Sequence, residues 1–151
     1  MQSGASATDG HGVFGADKTG KLSFEFFNFR PGTNPAGAKN GSYGFHTNNE
    51  ANPWWQVDLG RAFALGEVRI FNRLDCCGER SRTLRVLLSQ DGTNWHQVYA
   101  HQGAPFGGTN GTPLSVGLGG RRARYVRLQL AETNWFHLDE VEVFGVNRTP
   151  D

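Results

Sequence analysis

Much is excluded by what this chain lacks. It has 151 residues but only two cysteines, Cys76 and Cys77, and they are adjacent. Neighbouring cysteines cannot staple distant parts of a fold, so the fold must rest on a packed core. Charge of one sign is missing too. Fifteen Lys and Arg stand against fourteen Asp and Glu, for a formal net charge of +1. With no long basic or acidic run, bulk electrostatics nominate neither nucleic acid nor an anionic membrane. No apolar run approaches the length of a membrane span. The start, "MQSGASATDGHG", lacks the apolar centre of a signal peptide. That leaves three readings: a removed signal, a module cut from a longer protein, or a cytosolic chain. No nucleophile elbow and no metal-ligand pair at helical spacing is present.

What the chain does have is glycine and aromatics: 21 Gly, eleven Phe, four Trp and three Tyr. That much glycine with few helical patterns means many turns, and points to an all-β domain. Residues 1–20 read as a loose entry, 21–147 as a single domain and 148–151 as a tail. "LSFEFFNF" (Leu22–Phe29) reads as a strand, and "RPGTNPAGAKNGSYG" (Arg30–Gly44) as a long irregular loop. In "WWQVDLG", Trp55, Val57 and Leu59 share one face and Gly60 ends the strand. "ALGEVRIFNR" repeats the pattern with Val68 and Ile70. "TLRVLLSQDGTNWHQVYA" reads as two strands joined at an Asp91-Gly92 turn. "PLSVGLGG", "RYVRLQL" and "DEVEVFG" complete a set of short strands, with Val141 and Val143 facing one way in the last. Seven or eight short strands with turns between them imply an all-β sandwich or jelly roll.

The order of these segments resembles the discoidin (coagulation factor 5/8 type C) fold over roughly Gly44 to Gly145. A sharper resemblance lies in three basic residues. His46 and Arg73 are separated by 26 residues; then follow Leu74, Asp75, Cys76, Cys77, Gly78, Glu79 and Arg80. This H-x26-R-x-D-x4-R arrangement, with the paired cysteines, His46-Thr47 and "NPWW", resembles the F-type lectins, the fucose-binding branch of the discoidin fold. The resemblance implies an antiparallel jelly-roll β-sandwich of about eight strands, with a sugar bound by loops at one end through His46, Arg73 and Arg80. It also implies a vicinal Cys76–Cys77 disulfide lying against the sugar; the alternative is two free thiols on a corner.

The chemistry of the residues agrees independently. A sugar offers hydroxyls that donate and accept hydrogen bonds and a ring oxygen that only accepts. Arginine offers five donors in a rigid fork and no acceptor. Asp75, two residues from Arg73, suits an orienting role that also lowers repulsion between the cations. Adjacent Cα atoms lie about 3.8 Å apart, below the usual disulfide range. A bond there crosslinks almost no chain and adds little stability. It can instead supply a rigid apolar knob suited to the apolar face of a sugar or the C6 methyl of fucose.

The chain departs from the family at two places. Where the family has a second disulfide, this sequence has Phe45 and Asp139. Packing through Phe45, Trp135 or Leu138 is expected to replace it. The family loop before the histidine commonly binds calcium. Here Asn34, Asn40, Ser42 and Glu140 are the available ligands, but the usual aspartate is missing and Lys39 stands in the loop. Calcium favours six to eight oxygens with some negative charge. The alternatives are a structural calcium ion or a Lys39–Glu140 tie, and binding is expected to need no cofactor. The expected partner is a fucose-containing glycan, in an extracellular, cell-surface or periplasmic setting, with this chain as a non-catalytic domain or a module of a larger protein. One rival is a discoidin module that binds another sugar, a protein or a membrane, with the Phe24–Phe29 run as the lipid-inserting tip. The other is a glycosidase, which needs two carboxyl groups across a cleft. Asp75 and Glu79 both neighbour arginines that keep them ionised.

Overall fold

A computed structural model describes residues 7–9, 13–16, 21–26, 45–47 and 49–146. Apart from one 3-10 turn at Gly78–Ser81, its regular structure is strand. The scaffold is a ribbon of two long antiparallel strands, β6 (Trp54–Phe71) and β9 (Leu114–Leu130). The alternation around Trp55 and around Val68 belongs to one continuous strand, β6, rather than to two strands ended at Gly60. Likewise "PLSVGLGG" and "RYVRLQL" are one strand, β9.

Two irregularities bend this ribbon. Asp58 pairs with Tyr125 and Phe63 with Ala123, so residues 59–62 face residue 124 alone. Further on, Leu65 pairs with Arg121 and Glu67 with Gly117, so residues 118–120 face residue 66 alone. Gly60 at φ +90° and Gly120 at φ +82° supply the left-handed backbone that these corners require. The inward positions change phase across the second corner, from Trp55, Val57, Leu59, Phe63 and Leu65 to Val68 and Ile70.

The remaining strands sort by which half of the ribbon they join. Beside the first half lie β1 (Ala7–Asp9), parallel to Trp55–Val57, and β7 (Leu84–Ser89), which carries β8 (His96–Ala100). Beside the second half lies β12 (Glu140–Val146), followed by β3 (Lys21–Phe26) and β2 (Val13–Ala16). The ribbon therefore gives one half to each of two layers. Both halves send side chains into a single core with Leu84, Val86, Leu118, Leu128, Phe136 and Val143. This is the all-β, discoidin-like sandwich, with β1 as its one parallel pairing among the described residues.

Three expectations need adjusting. Residues 1–20 include β1 and β2, both paired into the sheet, rather than a purely loose entry. The β7–β8 connection runs from Gln90 to Trp95 and is longer than a two-residue turn. Asp91 organises it by accepting hydrogen bonds from the backbone N–H of Thr93 and Asn94, both at 2.8 Å. These donors hold its carboxyl well below the usual carboxylate range. Finally, Phe24 and Phe26 lie in β3, between β2 and β12, and so in a paired strand rather than at a loop tip. The segments 27–44 and 147–151 lie outside the described residues.

A bidentate ion pair fastens the first corner. Arg124 Nε and Nη2 donate to the two oxygens of Asp58 at 2.7 and 2.9 Å, and the Gly60 N–H donates to the same carboxylate at 2.8 Å. The Arg124 hydrogen bonds, more than any other cause, lower the Asp58 pKa from its ordinary 3.8. Its folded value is therefore the lower one, so this stabilisation is complete above 3.8 and is lost as pH falls through the folded value. Asp58→Asn is expected to lower the thermal midpoint modestly at neutral pH, because the pair is partly exposed. The gap to wild type should then close on acidification below the ordinary carboxylate range. Thermal scans of both proteins across pH check this. A gap that persists at the acid end would mean that the ionised carboxylate is not what stabilises the corner.

Candidate carbohydrate-binding site

The first layer begins at Trp54 and the second ends at Phe71, so the ribbon's bend brings both ends of β6 to the same end of the sandwich. The connection from β6 to β7, residues 72–83, lies there. Its organiser is Asn72, which is completely buried. The Asn72 side-chain amide donates to Gly78 O and to Phe106 O, each at 3.0 Å. Its carbonyl accepts from the Arg73 N–H at 2.9 Å and the Ser81 hydroxyl at 3.4 Å. Its backbone N–H donates to Gly107 O at 3.0 Å. One buried amide thus closes the loop on itself and ties it to the 106–108 segment. Gly108 packs so closely that a Cβ there would come within 2.8 Å of Asn72 O.

Within the closed loop, Cys76 and Cys77 are joined by a disulfide bond, with Cα atoms 3.7 Å apart. Cys77 sits at φ 65°, the left-handed region that non-glycine residues seldom occupy. It caps the Gly78–Ser81 turn, and its carbonyl accepts the Arg80 N–H at 3.1 Å. The turn fixes where Arg80 leaves the backbone.

The two arginines are held differently. Arg73 Nε donates to Asp75 Oδ1 at 2.6 Å, and the Arg73 side chain is only 14% exposed against 50% for Asp75. Arg80 lies over the ring of Trp135, with its guanidinium carbon 4.5 Å from the ring centroid. Trp135 and Leu74 are the exposed large hydrophobic residues among those described, and both belong to this end of the molecule.

Trp135 stands between two short ladders. On one side β10 (Thr133–Asn134) pairs with β5 (Glu50–Ala51). On the other, β11 (His137–Leu138) pairs with β4 (Phe45–His46). Buried Phe136 and Thr47 join the two, with Thr47 N donating to Phe136 O at 2.9 Å and Phe136 N to Thr47 Oγ1 at 3.0 Å. The backbone of His46 is thus paired with His137, two residues from the tryptophan that covers Arg80; the His46 side chain lies outside the described residues.

These ladders also show what stands in place of the second disulfide. Phe45 pairs with buried Leu138, and Asp139 N donates to Phe71 O at 2.8 Å. The expected tie through Phe45 and Leu138 is a backbone ladder, while Trp135 is 39% exposed rather than a packing tie. Of the candidate calcium ligands, Asn34, Asn40 and Ser42 lie outside the described residues, as does Lys39. Glu140 is described, and is buried in β12 opposite Phe71. Asp75 is bound to Arg73, and Glu79 is exposed on the turn.

Asn72 was not singled out from the sequence, and Trp135 was named only as a packing tie. "FNR" reads as a strand end, yet an asparagine between an apolar strand and a charged loop is a residue type that closes turns. In "TNWFHLDE", Trp135 reads as core, although the asparagine before it was a signal for a turn.

A β-sandwich with a donor-lined, disulfide-tipped loop at one end defines the class. Residues 37–128 match the model of the F5/8 type C family described as a NedA-like, galactose-binding domain. The chain belongs to this family. It is 38% identical to fucolectin-6 of Anguilla japonica over 99 residues, 65% of this chain and 52% of that protein. The chain spans about half the length of the curated relatives it matches. Among solved structures it is similar to the lectin domain of lectinolysin complexed with Lewis B antigen, at 32% identity and TM-score 0.59, covering 83% of this chain and 93% of that one. It is also similar to a Streptococcus pneumoniae fucose binding module, at 26% identity and TM-score 0.62, covering 92% and 93%.

Replacing Asn72 by alanine strips partners from two carbonyls and a backbone N–H in a buried setting. The expected cost is about 2–4 kcal/mol. Urea denaturation should show a lower midpoint, and amide exchange should accelerate across residues 73–81. Unchanged exchange in that loop would mean that the Cys76–Cys77 turn closes without the amide.

Proposed function

We propose that this chain is a non-catalytic carbohydrate-binding domain that recognises L-fucose or fucosylated glycans. The observation that carries the reading is the loop 72–81, where two arginines are fixed from behind and flank an apolar disulfide. Asp75 accepts from Arg73 Nε and so holds in place a guanidinium that offers donors alone, the partner that ligand hydroxyl oxygens need. Cys76–Cys77 offers sulfur rather than hydrogen-bonding groups, and so suits a C–H face or a methyl group. His46 supplies the third donor in this reading, from the strand paired with His137. The names of the relatives, fucolectins and a fucose binding module, support the same sugar.

The family model's description as galactose-binding favours a second reading, in which the sugar is D-galactose or a related pyranose. L-Fucose and D-galactose each carry an axial hydroxyl, but they belong to opposite configurational series and differ at C6, where fucose has a methyl and galactose a hydroxymethyl. The disulfide favours the methyl, because a hydroxyl pressed on sulfur loses its water without gaining a good partner. The disulfide also supports an extracellular, cell-surface or periplasmic setting, since such bonds persist in oxidising compartments. A calcium ion held by Asn34, Asn40, Ser42 and Glu140 stays a proposal beside the Lys39–Glu140 tie.

Few atoms of one sugar are engaged, so monosaccharide binding is expected to be weak. A charged hydrogen bond is worth about 1.5–3 kcal/mol, so Arg73→Ala should weaken binding of methyl α-L-fucoside about ten-fold or more. Calorimetric titration with the fucoside and with methyl galactoside, on wild type and variant, measures this. Equal affinity of wild type and Arg73→Ala would remove the site; a preference for galactoside would replace fucose with the second reading.

A further inference from the structure

Arg73 and Arg80 are both assigned to ligand binding above, yet the means by which they are held differ. Arg73 is aimed by a carboxylate, which occupies its Nε donor. Among the described residues, the Arg80 guanidinium makes no hydrogen bond and no ion pair; its contact is the face of Trp135 at 4.5 Å. A long side chain with no such restraint samples many rotamers, and binding must then order it at an entropic cost. An aromatic face restrains the guanidinium plane while leaving its N–H edge open, because the attraction acts through the face of the cation.

The mount for this tryptophan is rigid. Asn134 Oδ1 accepts the Trp135 N–H at 2.8 Å, and Phe136, the next residue, is fully buried. The ladders on either side bind it to residues 50–51 and 45–46. Core packing does not account for Trp135, since 39% of it is exposed. We propose that Trp135 is the positioning residue for Arg80: it orients the guanidinium for the sugar and leaves all five donors free to bind it. The inference rests on the carbohydrate-binding reading.

The test is a double-mutant cycle read by titration with methyl α-L-fucoside, using ligand-observed magnetic resonance so that weak binding stays measurable. Trp135→Ala should weaken binding about ten-fold, a typical worth of a partly desolvated cation–π contact. Its thermal midpoint should stay near that of wild type. Trp135→Phe keeps an aromatic face and should restore most of the affinity. In an Arg80→Ala background, Trp135→Ala should change the affinity less than about two-fold, because the residue through which it acts is gone. The Arg80 Nε–H resonance, shifted by the ring in wild type, should move on Trp135→Ala while that of Arg73 stays. The inference is overturned if Trp135→Ala binds as well as wild type, if phenylalanine gives no rescue, or if the loss persists undiminished without Arg80. A wild type that binds no fucoside overturns the carbohydrate reading and this inference together. A wild type that binds beside a Trp135→Ala that binds equally well overturns this inference alone.

Discussion

The hydrogen-bonded pairing of β6 with β9 is the constraint from which the rest of the architecture follows. Paired strands bend together or not at all, so each corner needs its own bulge and its own left-handed glycine. Once the ribbon has bent, it offers one half to each layer, and the other strands add to whichever half is exposed at their level. The geometry of the site is a by-product. A ribbon folded at its middle has both ends on one side, and the loops that leave those ends must gather there. The core then needs no covalent help, because Trp55, Leu65, Ile70, Leu118 and Leu128 are shielded from both directions.

At the gathered end, the proposed binding chemistry depends on holding two arginines of one loop in place. The fold does this with supports of different kinds. A buried amide shapes the loop, a surface carboxylate steadies Arg73, and an indole face steadies Arg80. Asn72 differs from the others in being wholly buried, so it governs loop shape while the exposed supports govern aim.

Much of this was legible in the chain. Alternation at Trp55, Val57 and Leu59, at Val126 and Leu128, and at Val141 and Val143 marks core positions, because a strand has a period of two. The joining of two such runs through Gly60 was not legible, since glycine is an equally good signal for an end and for a bend. The phase change after Leu65 had no local sign, because it arises where three residues of the partner strand face one of β6. At the site, Arg73, Asp75 and the cysteine pair were found because they sit together in sequence. Trp135 was read as packing because its partner, Arg80, is remote along the chain. Asn72 was passed over for the same reason, with one of its acceptors in the 106–108 segment. Contacts between distant segments leave little trace in one sequence.

The mount of Arg80 bears on how far the recognition loop could be moved as a unit. "RLDCCGER" looks self-contained, and transplanted onto another sandwich it would carry Arg73, the carboxylate that steadies it and the disulfide. The indole that faces Arg80 would stay behind, along with the two ladders that present it. A graft of those eight residues would therefore transfer one aimed arginine and one loose one. A portable form of this site would need the loop with Asn72, the 106–108 segment that Asn72 binds, the Thr133–Leu138 stretch and the residues 45–46 and 50–51 that pair with it.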